Sequence, residues 1–318
     1  MTPSPAPSSA PGPAPGPSPG PAAPAAGALY DLAYQRYRGV RRGPVSRIGV
    51  IARYGLLLQL RTRATKFGLL LGALSLVVVA MVAGSKWALP MLLSEGGGAS
   101  RAGMGASLLA GLDRDVALYP LTAQWVTTFL LVLVGGAPSL AADLNAGAFQ
   151  FHFARPVARE HYLVGRFLGA IGWAAAVQLA TLGLLVGERL VFQGDPALVA
   201  RAALAGLAGA LGRLLVLGAV ALGVSSLTRR KGLAQAFFAA MVFGSAMFAA
   251  MLRTTTSQPA AWAASVMGAP TLLAEQLVGE TVLAGPWAFA PVLGVLGWTA
   301  VGLGLAAWRL QGAEVVRG

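Results

Sequence analysis

No cysteine occurs among the 318 residues, which excludes disulfides, thiol catalysis and cysteine-ligated zinc. The only histidines, His152 and His161, share one short segment without ligand-spaced partners. They read as solvated loop residues, and no metalloenzyme centre is expected. The only lysines are Lys66, Lys86 and Lys231, and none follows a glycine. A phosphate-binding loop needs Gly-Lys-Ser/Thr, so no ATP site of that kind is written here. Charge of either sign is scarce, at 11% of residues, against about 25% in an average soluble chain. All eleven acids fall in expected loops, tails or span ends. A carboxylate held within the bilayer, as in proton- or sodium-driven carriers, is therefore missing.

What fills the sequence is apolar. Hydrophobic residues make up 56%, and mean hydropathy is +0.67. A soluble domain of this composition would expose large apolar patches. The expected fold is all-α, a polytopic six-helix transmembrane bundle. Apolar stretches run over about 67–84, 118–142, 162–187, 202–228, 232–252 and 286–308, each close to the roughly 20 residues that a spanning helix needs. Trp87, Trp262, Trp287 and Trp308 stand near span ends, as interfacial tryptophans do. Close-packing small residues such as Gly206 and Gly209 recur within the spans. A genome rich in Gly and Ala codons would give the same pattern.

Two segments precede the spans. Residues 1–28 hold ten of the 20 prolines and read as a disordered cytoplasmic tail. With no basic start and no continuous apolar core, they do not form a signal peptide, so the first span is expected to be an uncleaved anchor. Residues 29–66 form a basic arm, with nine Lys/Arg against Asp31. Within it, Val45–Leu60 reads as a helix on the cytoplasmic leaflet with its arginines among lipid phosphates. A cytoplasmic extension of the first span is the other reading.

Loop charges give the orientation. The second inner loop carries Arg155, Arg159 and Arg166, and the turn Arg229-Arg230-Lys231 has no acid. The intervening loops balance their arginines with Glu95, Asp113, Asp115, Glu188, Asp195, Glu275 and Glu280. Basic loops lie inside, so both termini are expected in the cytoplasm of a bacterium, with the chain in its inner membrane. The net charge of +13 thus reflects lipid and topology rather than nucleic acid. One charge, Arg213, falls inside the fourth span. It is expected to snorkel outward or to pair with Glu188 or Asp195, although an intramembrane charge is functional by default.

The stretch between the second and third spans is the most distinctive. It runs from Asp143 through Gly147, Phe149, Phe151, Phe153, Arg155, Pro156-Val157, Arg159 and Tyr162 to Gly165-Arg166. Three phenylalanines in so short a loop suggest a partner surface. This pattern resembles the permease family of the second class of ABC exporters. That family places an acid, three residues, Gly-Thr-Leu, a leucine pair, Pro-Val/Ile-x-Arg, an aromatic and Gly/Ala-Lys in this loop. Ala148 stands for the threonine, Phe149 and Phe153 for leucines, and Arg166 for the lysine. Ser225-Ser226-Leu-Thr-Arg229-Arg230-Lys231 is similar to a second family turn, and Tyr30, Tyr34 and Tyr37-Arg38-Gly39 to its N-terminal arm. The resemblance implies a non-enzymatic permease subunit with no cofactor of its own. ATP would be bound by a separate cytosolic ATPase, and a second permease copy would complete the transporter. Asp143, Gly147, Arg155, Pro156, Arg159, Tyr162 and Arg166 would form the ATPase-coupling contact, with Phe149 and Phe153 as its anchors. A membrane anchor that recruits a cytosolic partner without transport is the alternative. The spans name no substrate; Gln124, Trp125, Trp173 and Gln178 are candidates for a central path or for core packing.

Overall fold

A computed structural model describes residues 43–95, 112–147, 158–191 and 195–312. Helix α1, Pro44–Leu60, starts with Pro44 at its first turn, where a missing N–H costs nothing. It ends at an elbow, Arg61-Thr62, where the Thr62 hydroxyl bonds the Gln59 carbonyl (2.9 Å) and the Thr65 hydroxyl (2.8 Å). Arg63 then opens α2, Arg63–Glu95, which carries the first span. The basic helix is thus separate from that span. Its inner face lies along α6, Arg159–Val191. Ile51 meets Gly165, Gly55 meets Gly169 and Leu56 meets Gly172. The contacts advance in the same direction on both helices, so the two run side by side. The Trp173 indole donates to the Leu56 carbonyl (3.1 Å), and the Gln59 amide to that of Gly169 (2.8 Å). Val45, Val50, Tyr54 and Leu57 on the outer face of α1 are exposed.

The second apolar stretch, expected as one helix over 118–142, is broken. Helix α3, Leu112–Thr122, stops before Ala123-Gln124. Helix α4, Trp125–Leu131, then passes through a π-helical turn, Val132–Gly136, into α5, Ser139–Asn145. Tertiary partners take over the groups freed at the break. The buried Gln124 amide donates to the Thr181 hydroxyl (3.0 Å), and the Ser75 hydroxyl to the Ala123 carbonyl (3.3 Å). The span that crosses is therefore Trp125–Asn145.

Helix α7, Pro196–Ser226, forms the central post. Asp195 caps it by accepting from the Ala197 N–H (3.0 Å). In its spanning window 78% of residues are buried, against 22% in the first and fifth spans and 17% in the sixth. The fifth span is α8, Lys231–Thr256. A 3₁₀ turn, Pro259–Ala264, and a short helix α9, Gly268–Val278, lead through a second 3₁₀ turn, Gly285–Phe289, to α10, Ala290–Gly312. Six helices are long and apolar enough to cross a membrane, and no strand is present among the described residues.

Two features of this post position the sites. Its first half is wrapped by α3 and α9, both too short to span: Gly206 meets Ala117, and Gly209 meets Leu121 and Ala274. Its second half lies backbone to backbone on α10, where a Cβ on Gly302 would fall 2.3 Å from the Ala219 carbonyl carbon. The main core fills between, with Leu217, Val220, Val242 and Val266 around a stacked Phe129–Phe238 pair (5.7 Å between centroids).

Candidate functional site

Three arginines are buried among the described residues, Arg166, Arg189 and Arg213, and the first and last of them keep different company. The first, Arg166, belongs to a triad where the chain leaves α5 and re-enters through α6. The Asp143 carboxylate accepts from the Tyr162 hydroxyl and from the Arg166 guanidinium. Arg166 Nε also donates to the Tyr162 hydroxyl (3.3 Å), and its guanidinium carbon lies 5.6 Å from the ring centroid. Tyr162 has no exposed surface, and Arg166 is 9% exposed. Burial makes each group dependent on the other two, because an unpaired charge or hydroxyl here would lose its solvation. At the end of α5, Gly147 turns the chain with φ of +62°, a conformation that glycine alone adopts without strain.

Tyr162 and Arg166, expected on a partner contact, are buried within the chain and pair with Asp143 between the end of α5 and the start of α6. Arg159 opens α6 and is half-buried. Phe149, Phe153, Arg155 and Pro156 lie outside the described residues, as do the N-terminal tail and the tyrosines of the arm. Arg229 and Arg230 are exposed in the turn between α7 and α8, and Lys231 opens α8. A cleft of about 470 Å³ brings Asp143, Arg166 and Lys231 together with Gln59 and Gln235. His161 is not a solvated loop residue. It stands in the first turn of α6 with its Nδ1 enclosed and without a hydrogen-bond partner.

The last of these arginines, Arg213, stands near the middle of α7, about 26 Å along the helix from Pro196. It neither snorkels nor pairs with Glu188 or Asp195. It is 2% exposed, and its guanidinium donates to the Leu121 carbonyl and to the Thr271 hydroxyl (2.8 Å). Leu121 lies in the last turn of α3, where carbonyls lack helical partners and carry the negative end of the helix dipole. Arg213 thus ties α3 to α9 across the central post. Among the described residues no carboxylate lies within 4 Å of it, and its Nε has no hydrogen-bond partner. A cavity of about 640 Å³ opens beside it, walled by Trp125, Val242, Phe243, Ala246 and Trp262, with Glu275 also on its lining.

The polar residues considered for a central path separate. Trp125 lines the Arg213 cavity, while Trp173 is tied to α1. Gln124 and Gln178 are fully buried, and both amide atoms of Gln178 lack partners. At the same end of the bundle as the start of α7, two charge pairs close within the chain: Lys86 with Asp115 (2.9 Å) and Arg114 with Glu280 (3.3 Å). No group of three or more potential metal ligands occurs among the described residues. Neither a protein-family model nor a curated protein matches the chain.

Proposed function

We propose that this chain is the membrane permease subunit of an ATP-driven exporter whose ATPase is a separate cytosolic protein. The observation that carries the reading is the segment from Asp143 to Arg166, which lies between two spans and resembles the ordered motif of such permeases. The buried triad supports it physically. A loop that transmits force to the spans must be fixed at its ends, and Asp143, Tyr162 and Arg166 fix both ends to each other. The phenylalanines between those ends would seat in the ATPase, with Arg229, Arg230 and Lys231 on the neighbouring turn offering positive charge to the same partner. A second permease copy would face this one within the bilayer of a bacterial inner membrane, termini inside. ATP binding to the partner would then rock the two copies between inward- and outward-facing states.

The test is co-purification of the Phe149→Asp/Phe153→Asp double variant with a cognate ATPase. The variant is expected to insert normally and to lose the ATPase together with ATP-dependent transport. Retained binding with retained transport would overturn the assignment. If the unaltered chain captures a cytosolic partner that has no ATPase activity, a recruiting membrane anchor replaces it.

A further inference from the structure

Arg213 is enclosed with its charge unmatched. Its two bonded partners, the Leu121 carbonyl and the Thr271 hydroxyl, are neutral. A guanidinium has five N–H donors, and the Nε donor is buried and unpaired. An uncompensated buried charge is costly, and ordinary practice in proteins is to pair it. Among the described residues no carboxylate lies within 4 Å of it, which leaves the compensating anion to be supplied from outside them.

The cavity defines what that anion is attached to. Its volume of about 640 Å³ far exceeds a lone carboxylate or phosphate, and it lies within the range of pockets that hold organic ligands. Trp125, Phe243 and Ala246 give it an apolar wall, and Trp125 and Phe243 are partly exposed on the surface of the bundle. A chain leaving the cavity on that side continues along apolar surface. Glu275 stands one helical turn beyond Thr271, with its carboxylate accepting from the Thr281 hydroxyl (3.0 Å), so it is held by another partner.

We propose that this cavity binds an anionic amphiphile, with a carboxylate or phosphate head at the Arg213 guanidinium and an acyl chain against Trp125 and Phe243. The site requires only the six-span fold. Its binding is measured without ATP or partner, so its failure and failure of the permease reading are separate results.

The experiment titrates the full chain, in neutral detergent, with 9,10-dibromostearate and with 9,10-dibromostearyl alcohol, and reads quenching of tryptophan fluorescence. Trp125 and Trp262 report directly on the cavity. The carboxylate is expected to quench saturably and at a concentration about tenfold lower than the alcohol, since a hydrogen-bonded charge pair is worth at least that factor. Arg213→Gln should remove the preference, and Arg213→Lys should keep most of it. Ala246→Phe fills the cavity without touching the arginine, and it should weaken both probes. Glu275→Gln should bind the carboxylate as tightly as the unaltered chain, or tighter. Equal quenching by the two probes overturns the proposal, as does an unchanged preference in a folded Arg213→Gln protein. Displacement of dibromostearate by an equal concentration of inorganic phosphate would reduce the site to one for free anions and also overturn it.

Discussion

Arg166 and Arg213 are both buried arginines on apolar helices, and they differ in one respect. Arg166 has a carboxylate, supplied by Asp143 across the chain's exit and re-entry. Arg213 has a carbonyl and a hydroxyl. In the first region the charge is neutralised, so the group is complete without a ligand and serves to hold backbone in place. In the second the hydrogen bonds orient the group but leave its charge. The difference shows that burial alone does not assign a role to an intramembrane arginine. The partner's charge does.

Removing the counter-ion tests this most severely. Asp143→Asn leaves Arg166 buried and uncompensated, and the expected loss is about 3–5 kcal/mol. A sharp fall in monodisperse yield and in the thermal transition should report it. Adding Arg166→Gln to that background should recover part of the loss, because the two residues belong to one network. Arg213→Gln is expected to cost less, about 1–3 kcal/mol, because it strands only a carbonyl and a hydroxyl. Should its thermal transition fall as far as that of Asp143→Asn, the distinction between the two regions would collapse. The smallest effect is expected at Lys86→Met. Its pairing with Asp115 is 40% exposed on the lysine side, and such a pair contributes about 1 kcal/mol or less. A transition within a few degrees of the unaltered chain would agree.

Much of the architecture was readable from the residues. Long apolar runs gave the six crossing helices, and the Gly43-Pro44 break marked the start of α1. The break at Ala123-Gln124 was not readable. The run from Leu118 to Ala142 is apolar enough to read as one helix despite Pro120 and Gln124, and the break is met by bonds to Gly72, Ser75 and Thr181 on other helices. Arg213 was visible as an intramembrane charge, but its partners were sought nearby in sequence, at Glu188 and Asp195. Its actual partners lie 92 and 58 residues away, and one is a backbone carbonyl that no side-chain pattern announces. The triad lay among the motif positions, yet the motif does not distinguish a residue that touches a partner from one that braces the loop. Only the burial of Tyr162 does so.

The contact between Ala219 on α7 and Gly302 on α10 has a mechanical consequence. Helices separated by side chains can slide, because rotamers change as one layer shears over another. At this crossing there is no side-chain layer, and a displacement would drive one backbone into the other. The two helices therefore behave as a single stiff beam. If the bundle changes shape between two states, the movement has to be taken up by the loosely covered helices around it, α2 and α8 first. A single added methyl at Gly302 would then act as a wedge in the beam, far from either arginine.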